Sequence, residues 1–238
     1  MSQNQHINVV ENYYNVLSNI EKSAKKVGRD PSEITLVGVT KRIEVQRIVP
    51  VLKEGLTIIG EIVGKDLKQK YDLLKHNNVS IHVIGKLQSN KVKYAVEKCD
   101  LVQSVHNEKI LSLINKRAKM NKKIFPIFLQ IDFSNLEVKK GLNIEETKKI
   151  IHLIKTKYSY IQIQGFMTIA PLQYMENRRI LAKFFKKTRE YVDKELVPKI
   201  EYDNLQLSMG MTDAYQLAIE NGSTMVRVGT AIFGPRNK

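Results

Sequence analysis

Short β-branched runs alternate with longer stretches of helical periodicity along almost the whole chain. Most of the short runs are apolar at consecutive positions, which is typical of parallel strands covered on both faces. The strand candidates are residues 34–40, 57–63, 80–85, 101–105, 125–133, 161–169, 204–208 and 224–234. This alternation predicts an α/β fold built around a parallel sheet.

Helical stretches separate the strand candidates and set their arrangement. They cover residues 43–54, 65–77, 87–98, 107–122, 144–158, 176–196 and 212–221. Pro50 in the first of them predicts a late start or a bend, because proline removes a backbone donor and clashes with the preceding turn. A further amphipathic stretch, residues 6–26, precedes the first strand.

Eight strand–helix steps within 238 residues predict a single (β/α)8 TIM barrel, whose usual size is about 250 residues. The N-terminal helix would close the helical ring, since only residues 235–238 follow the last strand. A doubly wound open sheet is the structural alternative. Without a linker, repeat or low-complexity segment, we expect one domain spanning residues 1–238.

Basic residues outnumber acidic ones by 39 to 24, which gives a formal net charge of +15. This excess suggests a basic nucleic-acid-binding module as one hypothesis. The lysines, however, are scattered along nearly every helical stretch, with no dense tail and no stripe interleaved with aromatics. We therefore expect solvated outer helix faces and no specific nucleic-acid partner.

The single cysteine, Cys99, can form neither an internal disulfide nor a CxxC redox pair, nor can it supply a Cys-rich zinc site. We expect it to pack in a helix and predict no metal site. The N-terminal residues lack the pattern of a secretory signal, and no apolar stretch approaches the ~18 residues that span a bilayer. We expect a cytoplasmic protein without a membrane partner.

Candidate binding residues lie where the strands end, because barrels carry their sites at the C-terminal ends of the strands. The first strand delivers Lys41 to the barrel mouth. Partial burial and nearby cations would lower the pKa of its amine and favour a Schiff base with an aldehyde. A solvated lysine at a strand end is the alternative interpretation.

The last two strands offer groups that suit a phosphate. Ser208 carries a hydroxyl, and Gly229 and Thr230 offer backbone N–H groups in the region where barrels commonly bind phosphate. Glycines that mark bends and an ordinary tight turn are the alternative. Together with Lys41 these residues favour a phosphorylated aldehyde, and pyridoxal 5′-phosphate (PLP) fits, with Arg227 near its ring.

These residues belong to motifs that resemble the pyridoxal phosphate homeostasis protein family, whose fold is like the N-terminal barrel of alanine racemase. The motifs are Leu36-Val37-Gly38-Val39-Thr40-Lys41, the segment from His82 to Lys91, Gly165-Phe166-Met167-Thr168-Ile169, Ser208-Met209-Gly210-Met211-Thr212-Asp213 and the segment from Val226 to Gly234. The match runs from about Ile7 to Arg236, nearly the whole chain.

The resemblance implies a role for each matched residue. Lys41 corresponds to the lysine that holds the cofactor, and Arg227 to the group near the pyridine nitrogen. Ser208 with the Gly229 and Thr230 backbone corresponds to the phosphate site. The remaining matches are Met167 and Met209 as pocket residues, and Asn90, Lys91, Lys139 and Gly141 in elements that could equally be solvated. The family's usual Gly-Glu-Asn is here Gly60-Glu61-Ile62, which removes an amide at the mouth.

The function implied is PLP (vitamin B6) homeostasis, with PLP held on Lys41 as a Schiff base and no established turnover. PLP-dependent apoenzymes are the possible protein partners, and a monomer is expected. The alternative within the same chemistry is an amino-acid racemase or lyase. Alanine racemases add a β-rich domain and a tyrosine from the partner subunit, and this chain ends at Lys238, so we expect a carrier rather than an enzyme.

Overall fold

Eight parallel strands close into a barrel, in chain order, in a computed structural model that describes residues 8–134 and 141–236. The strands are β1 Thr35–Val39, β2 Ile58–Glu61, β3 Ser80–Val83, β4 Leu101–Val105, β5 Phe125–Gln130, β6 Ile161–Met167, β7 Gln206–Met211 and β8 Met225–Val228. Strand β1 pairs with β8 and so closes the sheet. The TIM-barrel prediction is confirmed, and the open-sheet alternative is wrong.

Helices surround the barrel. They are α1 Val9–Lys26, α2 Val45–Lys53, α3 Lys65–His76, α4 Val92–Lys98, α5 Glu108–Met120, α6 Ile144–Thr156, α7 Arg178–Tyr191, α8 Tyr215–Glu220 and α9 Thr230–Phe233. Helix α1 packs against α2, α8 and α9 through a buried stripe that includes Tyr13, Val16 and Ile20, so it closes the ring as predicted. Within the described ranges, no helix combines the length and apolar character needed to cross a bilayer.

The apolar core has two parts, because successive side chains of a strand point to opposite faces. The larger part fills the space between strands and helices. The smaller part lies inside the barrel and consists of Val37, Leu101, Phe128, Met167 and Met225. This inner layer is a floor beneath the barrel mouth, so that a ligand cannot pass through the barrel.

The ends of the last two strands differ from the prediction. Strand β7 continues to Met211 instead of ending at residue 208, and β8 ends at Val228, where the sequence pattern suggested 234. The residues after β8 form the short helix α9, which an apolar β-branched pattern does not distinguish from a strand. Helix α2 runs through Pro50 and starts at Val45, two residues late.

Candidate functional site

A cavity of about 510 Å³ opens at the C-terminal ends of the strands. Its walls include Lys41 after β1, Lys86 after β3 and Gln130 at the end of β5. Gly141 also lines it, and a Cβ at that position would lie 2.6 Å from the Gln130 carbonyl oxygen, so only glycine fits. The sequence pattern pointed to Lys41 and Gly141, but it missed Lys86 and Gln130.

Lys41 occupies the turn that follows β1 and is half-buried. Burial is the main cause that lowers the pKa of its amine, and the positive charges of Arg236, Arg227 and Arg42 act in the same direction. The carboxylate of Glu61 opposes them. The amine is therefore neutral in a larger share of molecules than an exposed lysine, and a neutral amine is the form that attacks an aldehyde.

Arg227 lies inside the barrel, 4% exposed, where burial lowers the pKa of its guanidinium to about 10. It donates hydrogen bonds to Ser208 Oγ (2.6 Å) and to the Thr168 carbonyl oxygen (3.0 Å). Among the described residues no carboxylate forms an ion pair with it. A buried guanidinium held only by neutral groups leaves a positive potential at the mouth that favours an anionic ligand.

The hydrogen bonds around Arg227 continue across the barrel in one direction. Ser208 Oγ donates to Gln103 Oε1 (2.8 Å), and Gln103 Nε2 donates to His82 Nδ1 (2.9 Å). His82 is 5% exposed, and burial lowers its pKa to about 4, so the ring is neutral at physiological pH. Neutral groups from β3, β4 and β7 therefore hold the cation on β8.

Ser208 lies too deep in the barrel to join a phosphate site at the mouth, which corrects the sequence-based expectation. The strand register places Ser208 beside Met225, whereas Met211 lies beside Arg227. Its hydroxyl is buried and already bonded to Gln103 and Arg227. Ser208 therefore orients the arginine.

Thr212 places a different hydroxyl beside the predicted Gly229 and Thr230 backbone. The Gly229 N–H donates to Thr212 Oγ1 at 3.4 Å. The next residue, Thr230, begins α9, and the first amides of a helix have no acceptor within that helix. The structure thus brings together the predicted Gly229 and Thr230 backbone with the hydroxyl of Thr212, which the sequence pattern did not single out.

The two predicted pocket methionines lie on different faces. Met167 belongs to the apolar layer inside the barrel, directly beneath the mouth. Met209 is buried among the residues between strands and helices, on the face of β7 opposite Ser208, so its prediction as a pocket residue is wrong. Strand alternation explains the position of Met209, because Ser208 and Met209 are adjacent in β7 and cannot both point into the barrel.

The other positions that the sequence pattern singled out have different surroundings. Asn90 is exposed and Lys91 is half-buried in a 3-10 turn before α4, and neither lines the mouth cavity. Ile62 is 37% exposed and stands against Gly85, a residue of the cavity wall. Lys139 lies outside the described residues.

Two sequence-based interpretations concern residues outside the mouth. Cys99 follows the last residue of α4, one position beyond the helix in which it was predicted to pack. It is 2% exposed, and burial raises the pKa of its thiol to about 12, so it is an ordinary buried residue and not an activated nucleophile. The described ranges contain no group of three or more His, Cys, Asp or Glu residues placed to hold a metal ion.

Comparisons with known proteins identify the family of the chain. The family model described as "Alanine racemase, N-terminal domain" matches residues 15–237. The "Pyridoxal phosphate homeostasis protein" of Aquifex aeolicus is 33% identical over 97% of this chain and 99% of its own. The protein of the same name from Haemophilus influenzae is 31% identical over 97% of each chain.

Solved structures show the same fold. PipY of Synechococcus elongatus, determined with PLP bound, superposes with a TM-score of 0.72 at 27% identity, covering 91% of this chain and 100% of PipY. An alanine racemase of Clostridium difficile gives a TM-score of 0.71 at 18% identity, with 96% of this chain and 58% of the racemase covered. The chain therefore belongs to the alanine racemase N-terminal domain family and, within it, to the pyridoxal phosphate homeostasis proteins.

Proposed function

We propose that this protein binds PLP reversibly at the barrel mouth and serves PLP homeostasis as a carrier. The observation that carries the proposal is the placement of a half-buried Lys41, whose amine pKa is lowered, near a buried Arg227 that no carboxylate among the described residues compensates. The guanidinium of Arg227 attracts an anion, and the amine of Lys41 reacts with an aldehyde. PLP combines both properties, and the relative PipY was solved with it bound.

The residues divide the work of binding between them. The Lys41 nitrogen would attack the aldehyde carbon, forming a C=N bond while the aldehyde oxygen leaves as water. The amides of Gly229 and Thr230 and the Thr212 hydroxyl would receive the phosphate. Ser208 and the Thr168 carbonyl would keep Arg227 directed toward the ring, above the layer that contains Met167.

The charge of Arg227 supports a carrier rather than an enzyme. PLP, when bound, can act as an electron sink in amino-acid chemistry, most strongly when its ring nitrogen is protonated. A guanidinium stays charged at physiological pH, and it would keep a facing ring nitrogen unprotonated. We accordingly propose that the protein has no racemase or lyase turnover. We also propose that it is monomeric, transfers PLP to PLP-dependent apoenzymes and is located in the cytoplasm.

Borohydride trapping tests the proposal. The purified protein is incubated with PLP, reduced, digested and analysed by mass spectrometry. One pyridoxyl-phosphate group on the Lys41 peptide, with competition by inorganic phosphate, is the expected result. Trapping spread over many surface lysines contradicts it, and racemisation or elimination of added amino acids would instead support the enzyme alternative.

Thr212→Val separates the two candidate hydroxyls of the phosphate site. We expect it to weaken PLP binding about tenfold, roughly 1.4 kcal/mol, because one hydrogen bond to a charged group is lost. Thr57→Val, at an exposed position before β2, serves as the matched control and should bind as the wild type does. Titration of visible absorbance measures both; equal affinities for the two variants would remove Thr212 from the site.

A further inference from the structure

The turn that carries Lys41 is held from outside the barrel by two side chains of α3. Lys70 Nζ donates to the Thr40 carbonyl oxygen at 2.9 Å, and Asp66 Oδ2 accepts from the Arg42 N–H at 2.8 Å. These backbone groups belong to the residues immediately before and after Lys41. Asp66 and Lys70 are themselves paired at 2.7 Å, one helical turn apart. We call these two residues the Lys41 clamp.

A buried carboxylate supports the clamp from below. Glu61, at the end of β2, is fully buried; its Oε1 accepts from Thr40 Oγ1 at 2.7 Å and lies 3.4 Å from Lys70 Nζ. Lys70 is only 4% exposed. An ammonium group that is removed from water and shared among a carbonyl and two carboxylates has little freedom, so the clamp is rigid.

The backbone of the turn requires such support. Arg42 has φ of +57°, in the left-handed region that is strained for a non-glycine residue. The bond from the Arg42 N–H to Asp66 stabilises this conformation. It also fixes the direction in which the preceding residue, Lys41, leaves the strand.

We propose that Asp66 and Lys70 are positioning residues that direct the Lys41 amine into the mouth cavity and thereby set the rate at which Lys41 takes up and releases an aldehyde. This inference rests on the proposed PLP function. Neither residue touches the ligand; they act through the backbone on both sides of Lys41. The alternative is that Asp66 and Lys70 form an ordinary i, i+4 pair, which would stabilise the helix α3 without affecting Lys41.

The test measures how fast Lys41 reacts, by stopped-flow absorbance with PLP over a range of pH. Asp66→Ala should slow the reaction about tenfold and shift its pH profile, because the amine loses its fixed approach and its fixed distance from Arg227 and Glu61. Asp66→Asn, which retains an acceptor for the Arg42 N–H, should recover much of the rate. Asp72→Ala, at an exposed position of the same helix, is the matched control.

Two further measurements keep the outcomes distinct. The affinity for 4′-deoxypyridoxine 5′-phosphate, which lacks the aldehyde, should be unchanged in Asp66→Ala. The paired replacement of Glu61→Gln with Lys70→Met removes both buried charges without leaving one unpaired, and should also slow the reaction. If the wild type fails to trap PLP on Lys41, the proposed function is wrong. If it succeeds and Asp66→Ala reacts with the same rate and pH profile, the clamp is wrong.

Discussion

Lys41→Ala should abolish covalent capture of PLP and weaken its binding by at least about 100-fold, roughly 2.7 kcal/mol. The loss follows from the geometry of the mouth, where Lys41 is the amine whose pKa is lowered by burial and by three cations. The phosphate site proposed at Gly229 and Thr230 is unchanged in the variant, so weak binding without a visible Schiff-base band should persist. Borohydride trapping and absorbance titration measure the two effects separately.

Lys86→Ala is the control for this prediction, since Lys86 lines the same cavity from the segment after β3 and is more exposed than Lys41. It should trap PLP on Lys41 as the wild type does. Stoichiometric trapping at Lys86 in the Lys41→Ala protein would show that location in the cavity is sufficient and that the environment of Lys41 is not decisive.

The strand–helix alternation and the residues at strand ends are local properties, and both could be predicted from the sequence. The pattern of apolar residues indicates where a strand ends, and it therefore predicts that Lys41, Gly229 and Thr230 lie at the mouth. The depth of Ser208 was not visible, because it depends on the register between β7 and β8, which shifts between Ser208 and Met211. An error of three residues in a predicted strand end changes the expected position of a side chain by about 10 Å.

Contacts between segments that are distant along the chain could not be predicted from the sequence either. Gln103 meets Ser208 across 105 positions, and Thr40 meets Lys70 across 30. Gln103 follows the apolar pair Leu101 and Val102 in a strand, where nothing local identifies it as the link between His82 and Ser208. Buried polar networks of this kind emerge only when the barrel closes and brings their members together.

The stability of the fold should depend on His82 as the pH falls. Its folded pKa of about 4 lies below the ordinary 6.5, because burial disfavours the charged ring. Between these two pH values the unfolded chain binds a proton that the native protein does not, so the free energy of unfolding decreases as the pH decreases. The expected contribution is a loss of about 2.5 kcal/mol between pH 7.5 and pH 4.5.

The hydrogen-bond chain explains why the folded protein resists this proton. Gln103 Nε2 donates to His82 Nδ1. A proton on Nδ1 would place two N–H donors against each other and would force the amide of Gln103 to turn. Turning it would place the amide nitrogen against Ser208, which already receives a hydrogen bond from Arg227. Protonation of His82 would also add a second positive charge to a barrel interior that contains the guanidinium of Arg227, with which no described carboxylate forms an ion pair.

Urea unfolding of the wild type, His82→Gln and His76→Gln between pH 7.5 and 4.5 checks this prediction. His76 is exposed on α3, so His76→Gln should follow the wild-type pH dependence. His82→Gln should be less stable than the wild type at pH 7.5, and this difference should shrink by about 2.5 kcal/mol at pH 4.5. Carboxylates affect all three proteins alike and cancel in the comparison, so parallel curves for His82→Gln and the wild type would mean that the buried ring is not held neutral.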